Sequence, residues 1–234
     1  MFESFRQMEL LVASSHMPTA PRKIIDISQP VSSSSACFPG DTPFQRTITL
    51  SYKDSGVVNL TSLTMSPHVG THVDAPVHVR GDMSDASGKV GDLPLEPFIG
   101  PVRVIDLAPF KGGISAQQFK DKVAKSAPPP RVIFKTCHQI RYDVFEDDYA
   151  YLTVELIDAL AEAGVVLTGI DTPSVDHINS KDLLTHHRLL EHKLVWLENL
   201  NLVDVAEGDY TLVALPLRFV ELEASPVRAV LLEA

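Results

Sequence analysis

Cysteine is scarce in this chain of 234 residues, and the two present, Cys37 and Cys137, form no CxxC or zinc-finger pattern. That excludes a disulfide scaffold and leads us to expect free thiols in a reducing cytoplasm. No apolar run approaches the ~20 residues needed to cross a bilayer. Basic residues are also short: 20 Lys and Arg stand against 30 Asp and Glu, a net charge of -10. Nucleic acid is therefore not the expected partner, and neither is a membrane. The first residues lack a secretory signal, because Glu3, Arg6 and Glu9 interrupt the apolar positions that would form its core.

What is present describes a soluble globular protein. With 44% hydrophobic and 21% charged residues, the chain can bury a substantial core, most economically as one domain. There is no internal repeat and no interdomain linker. Residues 1–22 stand apart as an N-terminal extension. Phe2, Phe5, Leu10 and Leu11 could form a short amphipathic arm, while Ser14-Ser15-His16-Met17 resembles a vector scar with Met17 as a native start, so His16 is not counted as a ligand.

The body, residues 23–234, alternates strand and helix. Strands are expected at Arg22–Ser28, Pro43–Tyr52, Val57–Met65, Val102–Leu107, Arg131–Cys137, Val165–Asp171, Leu194–Leu200, Tyr210–Phe219 and Val227–Leu232. Helices are expected from Ser115, where Gln118 completes a capping box, over Thr153–Ala163 ahead of Gly164, and over Asp182–Leu190. The pattern predicts a mixed α/β domain.

One segment carries the chemistry. Residues 68–78 place His68, His72, Asp74 and His78 within eleven positions. Neutral imidazole and carboxylate are ordinary ligands of zinc and similar ions, and so many titratable groups packed together are costly without a cation. Pro67, Gly70 and Pro76 disfavour a helix. Full extension fails too, since it would separate His68 from His72 by roughly 13 Å, too far for one ion. We therefore expect a strand ending near Ser66, then a tight loop that turns at Gly70.

These residues resemble a known signature. His68-x-Gly70-Thr71-His72-x-Asp74-Ala75-Pro76-x-His78 is similar to that of the cyclase-like metal-dependent hydrolases, in their bacterial kynurenine formamidase branch. The likeness continues through Gly169–Ser174, Ser180-Lys181, His186-His187, Glu198-Asn199, Ala214–Phe219 and Ala224–Val230, and covers the chain from about Lys23 onward. It implies a swivelling β/β/α fold around a barrel-like mixed sheet with flanking helices.

It also implies a site. Glu198, in the apolar stretch Leu194–Leu200, needs a partner if buried, and with His186 it falls where similar formamidases place their second-half ligands. His187 and His192 do not match and are expected to be structural or exposed. The implied centre is binuclear, with His68, His72, Asp74 and Glu198 on one ion and Asp74, His186 and Glu198 on the other; zinc is the first choice and manganese or cadmium would also suit the donors. His78, left over from the ligands, is suited to carry protons. Phe38, in Phe38–Pro43, stands where relatives often have a tryptophan that packs on the substrate ring. The implied reaction converts N-formyl-L-kynurenine and water to L-kynurenine and formate, in a homodimer.

Three other readings remain open. A sibling hydrolase opening the lactam of isatin would use the same ligands. A metal-binding protein without turnover would give His78 and Phe38 no role. A thiol hydrolase built on Cys137 and His138 is weakest, because adjacent strand residues point to opposite faces.

Overall fold

The computed structural model describes residues 23–233, so the N-terminal extension, its apolar arm and Met17 lie outside the described residues. In chain order the strands are β1 (Ile24–Asp26), β2 (Gln45–Leu50), β3 (Leu60–Thr64), β4 (His72–Asp74), β5 (Ile99–Asp106), β6 (Gly112–Ile114), β7 (Arg131–Lys135), β8 (Ala150–Leu152), β9 (Leu167–Ile170), β10 (Val195–Glu198), β11 (Gly208–Val213), β12 (Ala224–Pro226) and β13 (Val230–Leu232). The helices are α1 (Tyr52–Ser55), α2 (Ala116–Val123), α3 (Val154–Glu162) and α4 (Leu184–Glu191).

Nine strands form one mixed sheet in the order β1-β13-β11-β5-β7-β9-β10-β4-β12. Its centre, β5, β7, β9 and β10, is parallel, and the flanks are antiparallel. The sheet curls far enough for Ser28, just past edge strand β1, to bridge Leu200, just past β10. A hydrogen bond from Asn201 N to Ile27 O (2.8 Å) reinforces that closure.

Strand alternation then sorts side chains into two cores. Ile133, Leu167, Leu197, Val73, Leu212 and Leu231 fill the inside of the curl. Val132, Phe134, Ile170 and Trp196 point outward and are covered by Phe119 of α2, Leu156 and Leu160 of α3 and Leu189 of α4. The fold is thus a single α/β domain around a curled, barrel-like sheet, as expected.

Local signals explain the helices. Ser115 accepts from Gln118 N while Gln118 Oε1 accepts from Ser115 N, closing the capping box of α2. Thr153 caps α3, and Gly164, at φ +77°, ends it in a left-handed turn.

Several expected strands are shorter or divided. β11 stops at Val213, and Pro216, three residues on, has no amide for a ladder; only a bridge from Pro216 to Val227 continues the pairing. The predicted Val227–Leu232 strand is β13 alone, while the preceding residues form the separate β12 against β4. The predicted Pro43–Tyr52 strand ends at Leu50, where Ser51 caps the one-turn helix α1. The parallel pair β6 and β8, three residues each, had no strand-length pattern to reveal it. β2 and β3 pair only with each other and are exposed along their whole length.

Candidate metal centre

The site lies on the outward face of β4 and β10, where alternation separates it from the core. His72 is the register partner of Glu198, so both point to one face, with Asp74 two residues further along it. The intervening Val73 and Leu197 point into the curl. A three-residue strand therefore presents two polar groups to the site and one apolar group to the core.

His68 reaches the same place by the turn the sequence predicts. Gly70 adopts φ +74°, and a Cβ there would lie 2.6 Å from Val31 Cγ2. The carbonyl of Gly70 pairs with His72 Nδ1 at 2.9 Å, leaving Nε2 to face the site. Thr71 donates to Asn199 O (2.6 Å) and fastens this loop to the residue after Glu198. Beyond β4, Pro76–His78 is a 3-10 turn that swings His78 back, its ring 4.6 Å from that of His68 and 5.7 Å from that of His186.

His186 arrives on α4, which lacks a neighbouring side-chain cap. Asp176 supplies one from a distance: its carboxylate accepts from Thr185 N (3.1 Å) and His186 N (3.0 Å) and pairs with His186 Nδ1 at 2.6 Å. It thereby satisfies helix amides and fixes the ring with Nε2 toward the site.

The five predicted ligands converge. Asp74 Oδ1 is 3.0 Å from His68 Nδ1 and 3.5 Å from His72 Nε2, and its Oδ2 is 3.6 Å from His186 Nε2. Glu198 lies 3.3 Å from His72 Nε2 and 3.5 Å from His186 Nε2. Two groupings bring potential ligand atoms within 4.8 Å of one another, His68 with Asp74 and His78, and His72 with Asp74 and Glu198. His72 Nε2 is buried without a hydrogen-bond partner, and Asp74 Oδ1, although 3.0 Å from His68 Nδ1, is likewise buried without a contact aligned as a hydrogen bond. Buried atoms of this kind are costly unless something else binds them, and a cation fits both.

Electrostatics agree with a site made for positive charge. Burial opposes charging His68, but its contacts with Asp74 and Glu223 outweigh that and raise it to about 10. His186 is likewise raised to about 10, burial being overcome by Asp176 and Asp74. Asp74 is held well below the usual carboxylate range despite complete burial, by His186 and His68. Without a metal, protons on imidazoles hold the carboxylates together. His78 is different: burial lowers it, so it is neutral near pH 7.

A cavity of about 620 Å³ opens onto this cluster, lined by His68, His72, His78, His186 and Glu198. Phe38 sits in its wall, edge-to-face with Phe145 at 5.2 Å. Sequence reasoning missed Phe145, which lies in an irregular acidic stretch. It also missed Glu223, 3.5 Å from His68 Nε2, and Trp196, whose indole donates to Asp74 Oδ2 at 3.0 Å. Asp176 had a faint signal, as the first acid after the Gly169–Ser174 motif. His187 is exposed and His192 pairs with Asp158 at 2.7 Å, and neither joins the groupings of candidate ligands. Both cysteines are unpaired, and burial pushes the Cys137 thiol up to about 11, unsuited to a nucleophile.

Comparison with known proteins gives the same placement. The Cyclase family model matches residues 25–177. The chain belongs to the Cyclase family. Among its relatives, the kynurenine formamidase of Bordetella petrii is 44% identical over 212 residues, covering 91% of this chain and 99% of that protein. Two solved structures of lower identity share the fold. Isatin hydrolase A of Labrenzia aggregata aligns with a TM-score of 0.78 at 22% identity, over 90% of this chain and 93% of its own. A protein described as a potential metal-dependent hydrolase with cyclase activity aligns at 0.75 and 24%, over 91% and 98%. Within the Cyclase family chain described here, the motif at 68–78 falls inside the matched segment, while His186 and Glu198 lie beyond it.

Proposed function

We propose that this protein is a metal-dependent arylformamidase that converts N-formyl-L-kynurenine and water to L-kynurenine and formate. Metal hydrolysis rests on the two unpartnered buried atoms, His72 Nε2 and Asp74 Oδ1, inside a cluster of imidazole and carboxylate donors. The substrate rests on the 44% identity to a kynurenine formamidase over nearly the whole of both chains.

His68, His72, Asp74, His186 and Glu198 would hold two divalent ions, zinc first. Bound there, the ions would supply the Lewis acidity that activates water and polarises the formyl carbonyl. His78, neutral and facing the cluster, takes a proton from the attacking water and returns it to the departing aniline nitrogen. Phe38 and Phe145 pack on the aryl ring. The exposed β2–β3 ribbon, with Ile48 and Leu63 uncovered, supports a homodimer, and the free thiols suit a reducing cytoplasm.

The deciding experiment measures metal content and hydrolysis of N-formyl-L-kynurenine together. Two ions per chain and loss of activity on exhaustive chelation are expected. Full activity with no metal ends the proposal; two metals with turnover of isatin alone redirect it to the sibling reaction.

A further inference from the structure

Beside the metal cluster and the aromatic pair, the same cavity wall carries two ion pairs that the hydrolytic chemistry does not use. Histidines aside, the basic residues lining the cavity are Lys111 and Arg141. Lys111 Nζ bonds Asp148 Oδ2 at 2.6 Å, and Arg141 Nε bonds Glu146 Oε1 at 2.9 Å. Arg141 spends only that one nitrogen. No acceptor among the described residues takes its Nη1 or Nη2, so a planar fork of donors remains free on the cavity wall.

Its placement relative to the aromatic pair is fixed by backbone. Arg141 and Phe145 flank one turn, in which Val144 N donates to Arg141 O, and Tyr142 O accepts from Ala36 N at 2.8 Å, tying this turn to the loop that carries Phe38. The guanidinium and the ring pair therefore belong to one unit of the wall.

N-formyl-L-kynurenine has a matching division. Its aryl ring bears a short ketone arm that ends in an ammonium and a carboxylate. We propose that Arg141 and Glu146 form the subsite for this amino-acid head, with the carboxylate on the free guanidinium nitrogens and the ammonium on Glu146. The proposal rests on the kynurenine formamidase reading. A guanidinium grips a carboxylate through two parallel bonds, which an ammonium cannot do, and this favours Arg141 over Lys111. In a chain of net charge -10, a guanidinium at this wall also gives the substrate's carboxylate a place to enter. Both side chains are about half exposed, so the pair separates readily to admit a zwitterion of the same charge pattern.

The test compares three formyl amides: N-formyl-L-kynurenine, N-formylkynuramine, which lacks the carboxylate, and formanilide, which lacks the whole arm. Arg141→Gln is expected to raise KM for N-formyl-L-kynurenine on the order of 10- to 100-fold, the value of a charged hydrogen-bonded contact. Its kcat should stay within about twofold, since binding is lost equally in ground and transition states. The other two substrates should be unaffected. Glu146→Gln should raise KM for both amine-bearing substrates and spare formanilide, and Arg141→Lys should recover part of the loss. An equal loss on formanilide would make Arg141 a support of the loop and overturn the subsite. No loss on any substrate, or a loss that follows Lys111→Met instead, would also overturn it. A native enzyme that hydrolyses none of the three amides would overturn the functional reading itself, and the subsite with it.

Discussion

Asp176 and His78 stand beside the candidate ligands in opposite ways, Asp176 holding the ring of His186 and His78 keeping its own ring unbonded among the described residues. Asp176 grips His186 at Nδ1 and both amides of the first turn of α4. Asp176→Asn should lower metal affinity ~10- to 100-fold while the protein stays folded, as losses of ligand-orienting carboxylates do, and a chelator titration followed by elemental analysis would measure it. His78→Ala should keep its metals and lose ~10²- to 10⁴-fold in turnover, the range for a proton carrier. Metal lost along with turnover would make His78 a ligand, in line with its closeness to His68 and Asp74. The candidate cluster was legible in the sequence because His68, His72, Asp74 and His78 fall within eleven positions. Glu223 was not, since a carboxylate between Leu222 and Ala224 reads as solvated surface until β12 pairs with β4 and brings it to His68.

At the level of elements, sequence signals worked where the cause was local. The capping box of α2, the Thr153 cap of α3 and the Gly164 stop behind α3 act through residues close in sequence, so those ends could be read directly. β4, β6, β8 and β12 are three residues each and owe their existence to partners far along the chain, which periodicity does not record. The β2–β3 ribbon was legible as strands but not as a projection. Register puts Ile48 and Leu63 on one face, where they are 56% and 65% exposed. A two-stranded ribbon is marginal alone. Replacing both by aspartate should convert a dimer to monomers in sedimentation velocity, with the metal centre intact. A native protein that sediments as a monomer would remove the ribbon as an interface.

For the molecule as a whole, the candidate metal ligands also hold protons, and stability should show it. In the metal-free protein His68 and His186 are raised from 6.5 to about 10. A raised folded-state value means that the native state binds these protons more tightly, so the stability they contribute is complete below about pH 6.5 and is lost as pH climbs toward 10. Asp74 and Asp176, both lowered, contribute above the ordinary carboxylate range and fail only in acid. Calorimetry of the metal-free protein should therefore show Tm falling from pH 6.5 to 9.5. Loaded protein should resist that fall, because ligation favours deprotonated imidazole and strengthens as protons leave. A Tm unchanged over that range without metal would mean the two imidazoles are not held by these carboxylates.

The chain contains one tryptophan, and its indole donates to Asp74 and stands edge-on to His186, with ring centres 5.4 Å apart. A protonated imidazole at that range quenches indole emission, and a metal-ligated one carries no such proton. The protein thus has an optical reporter built into its own centre. Filling the site with zinc should brighten and shift the indole emission, so occupancy can be followed in real time without a label or a substrate.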